Sequence, residues 1–275
     1  MKSKTRLILF SLAVLGWSGV LLYFYSSGRI NHYLAPDFRL IAFAGGLGLA
    51  VLGLFNLLTA GQKIDCCHDH ANEDDTHDHD GGDMHPVTAV LLMIVPVALS
   101  VAWTRDEYSV AALGRKGLYA APPSKLSPFL AASIPALTMA DIEKSHRMTS
   151  DGFLEFSLME LFFSSADREM QALLEGLKVE TEGRWIDEKV RNADGSRKRL
   201  YRLFITCCAA DSQVIPIVLE FGKMPPEFPE NAWVKVSGTI NFLLEEGSIQ
   251  PVLVVNRAVA AEPPFEESFM RKKRF

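Results

Sequence analysis

Long apolar runs and short alternating runs divide the chain into two parts. Three runs contain no charged residue: Leu7 to Tyr25, Leu40 to Ala60 and Pro86 to Trp103. Each is long enough to cross a hydrocarbon core of about 30 Å. The pattern therefore predicts a membrane-embedded α-helical region of about three spans over residues 1–103.

The first apolar run is interpreted as a membrane anchor rather than as a cleaved secretory signal. It is longer than the apolar core of a signal peptide, and no small-residue cleavage site follows it. The basic residues Lys2, Lys4 and Arg6 favour a cytoplasmic amino terminus. With three spans, this orientation predicts that the carboxy-terminal domain is extracytoplasmic.

The second span carries four glycines, Gly45, Gly46, Gly48 and Gly53. Small residues let helices approach closely and are enriched at helix contacts within membranes. We expect this helix to pack against another helix of the chain or against a partner protein. The alternative is a lipid-facing helix that merely tolerates glycine.

After the third run, the proline-containing residues 104–135 are interpreted as a linker. Beyond them a helix is predicted at about Thr138 to Ser145, a strand over residues 153–162, and a short helix from Ser164 to about Glu175. These elements open a separate domain over residues 136–275.

The rest of this domain alternates apolar and polar residues between turn signals, a pattern typical of strands. Five short strands after an initial helical part predict a mainly β (α+β) soluble domain. An OB-like small barrel is the most economical fold, and a sandwich is the alternative. The predicted strands are Leu177 to Ile186, Arg199 to Cys207, Val214 to Phe221, Trp233 to Leu244 and Pro251 to Ala258.

The net charge of −5 is unevenly distributed. Residues 62–85 contain eight acidic residues and one lysine, whereas the chain from Thr104 onward has 22 basic and 24 acidic residues. A nearly neutral domain without a ladder of exposed aromatic residues argues against binding of nucleic acid.

The acidic segment 62–85 also concentrates side chains that bind transition metals. Imidazole and thiolate suit zinc, copper or nickel, and the nearby carboxylates add negative charge. Its His-Asp-His pairs fit a flexible chelating loop better than the fixed spacing of a zinc finger. The alternative is a solvated acidic loop. The predicted ligands are Cys66, Cys67, His68, His70, His77, His79 and His85.

A second cysteine pair, Cys207 and Cys208, ends a predicted strand, and Asp211 follows in the turn. Adjacent strand residues point to opposite faces, so both thiols reach one metal only if the backbone bulges. Three interpretations stay open: one core and one exposed cysteine, a soft-metal site with Asp211, or a redox-active vicinal disulfide. His146 is the one histidine that could serve as a base for a cysteine nucleophile in this domain.

Three strings of the soluble domain resemble an uncharacterised bacterial membrane family regarded as the small subunit of a two-component permease. They are Gly176 to Gly183, Tyr201 to Asp211, which contains Cys-Cys-Ala-Ala-Asp, and Trp233 to Gly238. The apolar amino-terminal runs separated by a histidine-rich loop resemble the same family. The resemblance implies a larger multi-span permease as partner. It also implies that Cys207, Cys208 and Asp211 are the candidate functional residues.

These features together predict a non-enzymatic accessory subunit of a permease in the bacterial inner membrane, with zinc as the most natural metal. No Gly-x-x-x-x-Gly-Lys sequence for ATP binding is present. The alternatives are a membrane-anchored thiol redox protein or sensor that uses Cys207 and Cys208, and a structural assembly factor whose barrel binds only protein.

Overall fold

The computed structural model describes residues 3–60, 85–103, 108–122, 138–245 and 247–270. They form two compact units, Met1–Asp106 and Glu107–Phe275. We call these the helical unit and the β unit.

The helical unit contains three helices: α1 (Ser3–Ser26), α2 (Pro36–Thr59) and α3 (Pro86–Trp103). A 3-10 turn at Arg29–His32 lies between α1 and α2. Pro36 is in the first turn of α2, where the missing N–H of proline costs no helical hydrogen bond.

The contact between α1 and α2 uses two of the four glycines. Gly46 and Gly53 are buried, and a Cβ added at Gly53 would lie 2.7 Å from Leu15 Cγ. The hydroxyl of Ser18 in α1 donates to Gly46 O at 2.7 Å. Close packing within the chain is therefore confirmed for Gly46 and Gly53, whereas Gly45 and Gly48 face open space.

Two helices of the described residues, Lys4–Ser26 and Pro36–Thr59, are long and apolar enough to cross a membrane. The prediction of a third span is not supported by the described residues. The described apolar part of α3, Val87–Trp103, is shorter than either of these two helices. The predicted extracytoplasmic side of the soluble domain, which assumed three spans, loses its basis.

In the part of the chain that the structure describes, the β unit begins with four short helices and continues as seven strands. The helices are α4 (Val110–Arg115), α5 (Met139–Ser145), α6 (Leu158–Ser164) and α7 (Arg168–Leu174). The strands are β1 (Leu154–Glu155), β2 (Lys178–Asp187), β3 (Arg197–Ile205), β4 (Gln213–Glu220), β5 (Trp233–Glu245), β6 (Ser248–Ala260) and β7 (Phe269–Met270).

Five of the strands close into a ring in the order β2, β5, β6, β4, β3 and back to β2. Neighbours are antiparallel except for the parallel pair β4 and β6. Gly183 lies where β2 meets β3, and a Cβ there would come within 2.8 Å of Tyr201 O, so the closure needs a glycine. A small barrel is confirmed, and its five strands are the number found in an OB fold.

The helices at the start of the β unit correct one prediction. Residues 153–162 were expected to form a strand, but only Leu154–Glu155 is a strand and α6 follows it. Ser157 and Glu160 form a capping box, in which each side chain accepts from the other residue's backbone N–H. The predicted helices near Thr138 and Asp167 are confirmed, and each of these residues caps its helix.

Residues 108–122, which the sequence assigned to a linker, pack on the barrel, and we call them the strap. Leu113 and Leu118 are completely buried in a cluster with Ile186, Tyr201 and Val214. The backbone of Lys116 accepts a hydrogen bond from Val214 N at 3.0 Å. The strap therefore belongs to the β unit.

A buried ion pair fastens the strap to the barrel. Arg199 of β3 donates to Glu188 and, at 2.5 Å, to Leu118 O. The side chains of Arg199 and Glu188 are only 5% and 1% exposed. The guanidinium also lies 5.1 Å from the centre of the Tyr119 ring.

Candidate functional site

The second cysteine pair occupies the turn between β3 and β4. Strand β3 ends at the buried Ile205, and a 3-10 helix, Ala209–Asp211, leads into β4. Cys207 and Cys208 thus lie beyond the strand, and the alternation of strand side chains no longer separates their thiols. Both cysteines are half-buried and unbridged. We call residues 206–212 the cysteine turn.

The sulfur atoms of Cys207 and Cys208 are 3.7 Å apart. The carboxylate of Asp211 folds back over them and accepts backbone N–H bonds from Cys207 at 2.9 Å and from Cys208 at 3.2 Å. One ligand atom from each of the three side chains lies within 4.8 Å of the others. The turn therefore gathers the three residues that the sequence predicted as one site.

The two thiols differ although they are adjacent. Hydrogen bonding to Asp211 and to Cys208 raises the pKa of Cys207 to about 11, because the protonated thiol donates to these acceptors. The backbone N–H groups of Ala210 and Asp211 lower the pKa of Cys208, because they donate to its thiolate. Cys208 is thus the more acidic thiol.

Asp211 stays ionised in this arrangement. Partial burial raises the pKa of its carboxyl group, but hydrogen bonds from the Cys207 thiol and from the backbone N–H groups of Thr206, Cys207 and Cys208 lower it on balance. A carboxylate and two thiols of unequal acidity therefore share one accessible corner of the β unit.

The donor set fits a transition metal such as zinc. Two thiolates bound to tetrahedral zinc at about 2.3 Å stand about 3.8 Å apart, close to the 3.7 Å between Cys207 Sγ and Cys208 Sγ. A carboxylate oxygen is a common third zinc ligand. Three protein ligands leave one coordination position for water, substrate or a ligand from another molecule.

Two side chains of the strap, Lys116 and Tyr108, donate hydrogen bonds to carbonyl oxygens of the cysteine turn. Lys116 Nζ donates to the carbonyl oxygens of Ala209, Ala210 and Ser212 at 3.0, 3.2 and 3.3 Å. The hydroxyl of Tyr108 donates to Ala209 O at 3.0 Å. Sequence analysis missed both residues, because a lysine and a tyrosine in a proline-containing stretch carry no signal for a contact about 100 positions away.

His146 does not serve the cysteines as a base. Its ring stacks on Phe156 with centroids 4.0 Å apart, and its nitrogens lie 3.0 Å from Ile142 O and 3.3 Å from Glu160 Oε1. These contacts join the end of α5 to α6 and involve neither thiol. His146 therefore has a structural role.

Most of the ligands predicted in the acidic loop lie outside the described residues: Cys66, Cys67, His68, His70, His77 and His79. His85 is described, is exposed and precedes α3. The metal-binding prediction for the loop stays a prediction.

Comparisons with known proteins give a family without an established activity. No curated protein matches the chain. One solved structure, a DUF3299 family protein from Pseudomonas aeruginosa, is 11% identical and aligns over 52% of this chain and 89% of its own, with a TM-score of 0.24. The DUF1980 N-terminal domain matches residues 9–117, and the DUF1980 C-terminal domain matches residues 165–267. The first match begins within α1 and ends just after α4, and the second contains the cysteine turn. The chain therefore carries both domains of the uncharacterised DUF1980 family.

Proposed function

We propose that the chain is a non-enzymatic accessory subunit of a bacterial inner-membrane permease and that it binds a transition metal, most naturally zinc, at Cys207, Cys208 and Asp211. The observation that carries the proposal is the grouping of three metal-binding side chains within 4.8 Å in one five-residue stretch. The sulfur separation supports a shared ion because it agrees with the spacing of two thiolates around zinc.

The number of ligands and their accessibility favour exchange over permanent storage. A structural zinc site usually has four protein ligands and is closed, whereas three ligands leave a position open. Cys207 and Cys208 are half-buried, and the Asp211 carboxylate is exposed. An ion bound here can therefore accept a fourth ligand from a partner, as transfer to a transport protein requires.

Two features of the helical unit support a membrane partner. α1 and α2 are long and apolar enough to anchor the chain. Gly45 and Gly48 of α2 face away from α1 with nothing within 4 Å, and glycines on such a face permit close contact with a helix of another protein. In this proposal the larger permease subunit supplies that helix, and the acidic loop gathers the metal.

The proposal is tested by measuring zinc and copper content and affinity on the full-length protein in detergent. Three variants are compared with the wild type: Cys207→Ser/Cys208→Ser, Asp211→Asn, and deletion of residues 66–85. Cys66→Ser/Cys67→Ser removes two thiols from the acidic loop and measures how much metal those thiols hold, separately from Cys207 and Cys208. We expect the first variant to lose one metal equivalent and Asp211→Asn to bind that equivalent at least tenfold more weakly. Wild-type stoichiometry in the Cys207→Ser/Cys208→Ser variant would overturn the site.

A thiol redox function is the second candidate, because the 3.7 Å sulfur separation also favours oxidation of the pair. In that reaction Cys207 and Cys208 lose two protons and two electrons as their disulfide forms, and a disulfide such as oxidised glutathione is reduced to two thiols. Mass analysis of metal-free protein exposed to oxidised glutathione distinguishes the candidates. Reversible loss of two hydrogens within residues 201–213, together with the absence of metal binding, would favour the redox function.

A further inference from the structure

We infer that Lys116 is the positioning residue of the cysteine turn: by binding the carbonyl groups of Ala209 and Ala210, it aims the N–H groups of the same two peptide bonds, those of Ala210 and Asp211, at the sulfur of Cys208. The inference deepens the proposed metal site and rests on it for its ligand. It rests on the geometry of the peptide groups between Cys208 and Ser212 and on the contacts of the strap.

The first step is that one ammonium group collects three carbonyls. Lys116 Nζ donates to the carbonyl oxygens of Ala209, Ala210 and Ser212. An ammonium has three protons, so these contacts use its full donor capacity. Its position 5.3 Å from the centre of the Tyr108 ring adds a cation–π contact on the strap side. The side chain is thus committed to the cysteine turn.

The second step follows from the planarity of the peptide bond. In a trans peptide the C=O and N–H groups point in opposite directions. The carbonyl of Ala209 belongs to the same peptide group as the N–H of Ala210, and the carbonyl of Ala210 to the same group as the N–H of Asp211. Holding the two carbonyls on Lys116 therefore turns these two N–H groups towards the other side of the turn.

The third step is that Cys208 occupies that other side. In the capping arrangement of the 3-10 helix, the backbone N–H of Asp211 donates to the carbonyl oxygen of Cys208 at 3.1 Å and also faces the sulfur of Cys208. Successive N–H groups that converge on one atom form a small anion-binding concavity. The negative charge of a thiolate, free or bound to a metal, is favoured there, and Lys116 sets the orientation of the groups that favour it.

The fourth step is that the strap stays in place without the ammonium group. Leu113 and Leu118 are fully buried on either side of Lys116, and its backbone oxygen accepts from Val214 N. Arg199 binds Leu118 O independently. Substitution of the side chain therefore removes the hold on the turn while the strap keeps its other contacts with the barrel.

The experiment compares the full-length wild type with three variants. Lys116→Met keeps the apolar stem of the side chain, and Lys116→Arg keeps its charge. Tyr108→Phe removes one donor to Ala209 O. Two quantities are measured: affinity for Co²⁺, followed by the thiolate charge-transfer absorption of the bound ion, and hydrogen exchange of residues 206–213 in metal-free protein. Exchange of residues 234–240 in β5 reports general loosening of the fold.

We expect Lys116→Met to weaken Co²⁺ binding about 10- to 100-fold, as loss of a group that supports metal ligands commonly does. Hydrogen exchange of residues 206–213 rises about tenfold while β5 is unchanged. Lys116→Arg keeps Co²⁺ affinity and hydrogen exchange close to the wild-type values. Tyr108→Phe weakens Co²⁺ binding and raises exchange by less than Lys116→Met does.

Two other outcomes would distinguish failure of the positioning role of Lys116 from failure of the metal site. If Lys116→Met matches the wild type in affinity and exchange, or if exchange rises equally in β5, Lys116 does not position the turn. If the wild type binds no Co²⁺ but exchange rises only at residues 206–213, the metal function fails and the positioning role stands.

Discussion

The two units of this protein distribute polarity in opposite ways. In the helical unit, large apolar residues such as Leu40, Val51 and Leu58 are more than 60% exposed, whereas Ser11 and Ser18 are buried at the contact between helices. In the β unit, buried Val, Leu and Ile fill the barrel. The exposed apolar surface of the helical unit fits the two helices that are long and apolar enough to cross a membrane, whereas the β unit encloses an apolar core.

The contrast extends to what holds each unit together. In apolar surroundings, burial of apolar side chains gives little preference for helix association, so close contact of small residues and interhelical hydrogen bonds become important. The pairing of Gly53 with Leu15 and the bond from Ser18 to Gly46 O are of this kind. In the β unit the apolar core dominates, and the buried pair of Arg199 and Glu188 is an exception within it.

The buried pair of Arg199 and Glu188 gives the largest expected effect on the free energy of unfolding. Glu188→Leu leaves the Arg199 guanidinium buried without its carboxylate, and loss of one partner of a buried pair costs about 3–5 kcal/mol. We expect the free energy of unfolding of the β unit to fall by this amount. Urea unfolding of the full-length protein in detergent measures it through the fluorescence of Trp185 and Trp233, with Trp17 and Trp103 replaced by Phe.

The matched control for Glu188→Leu is the exposed pair of Arg257 and Asp151, whose side chains are 65% and 61% exposed. Arg257→Ala should change the same free energy by less than about 1 kcal/mol, because solvent screens an exposed pair. Equal effects of the two substitutions would contradict the assignment of the Arg199–Glu188 pair as a buried fastening of the strap.

The next effect tests packing in the helical unit. A side chain at Gly53 meets Leu15, whereas one at Gly48 of the same helix meets nothing within 4 Å. We expect Gly53→Val to destabilise the contact of α1 and α2 by about 1–3 kcal/mol. Gly48→Val introduces the same residue without the clash, so the difference between the variants isolates packing. Thermal unfolding in detergent, followed by the helical circular dichroism signal, measures it, and identical melting temperatures would refute the contact.

Local signals predicted much of this fold. The strands β5 and β6 keep an apolar and polar alternation bounded by turn residues, so both were identified from the sequence. Residues 158–162 were mistaken for part of a strand because their aromatic and aliphatic residues suit either structure, and the capping box of Ser157 and Glu160 favours a helix. The third span was predicted from an apolar run near the lower limit for crossing a membrane, and the described apolar helix there is shorter than α1 and α2.

The candidate site was predictable only in part. Cys207, Cys208 and Asp211 are close in sequence, so their meeting needs only a turn, and the structure provides one. Lys116 reaches that turn from the strap, about 90 positions earlier in the chain. Its role depends on long-range packing of Leu113 and Leu118, and proline and glycine nearby suggested a linker instead.

The smallest effect concerns the cysteine turn, where the β unit carries two half-buried free thiols. The lowered pKa of Cys208 means that its thiolate forms at lower pH than the thiolate of Cys207, whose pKa is about 11. Iodoacetamide reacts with thiolates, and the gain in thiolate fraction outweighs the lower nucleophilicity of the more acidic sulfur. We therefore expect metal-free protein at pH 8 to be alkylated about tenfold faster at Cys208 than at Cys207.

This preference must shrink as the pH rises towards 11, because Cys207 then also ionises. Peptide mass analysis of short reactions between pH 7 and 10 measures both rates in one sample. Asp211→Asn removes the carboxylate that keeps Cys207 protonated, so it should speed Cys207 and narrow the ratio. Equal alkylation rates at the two cysteines across this pH range would mean that the backbone N–H groups of the turn do not favour one sulfur over the other. The assigned difference in acidity between Cys207 and Cys208 would then be wrong.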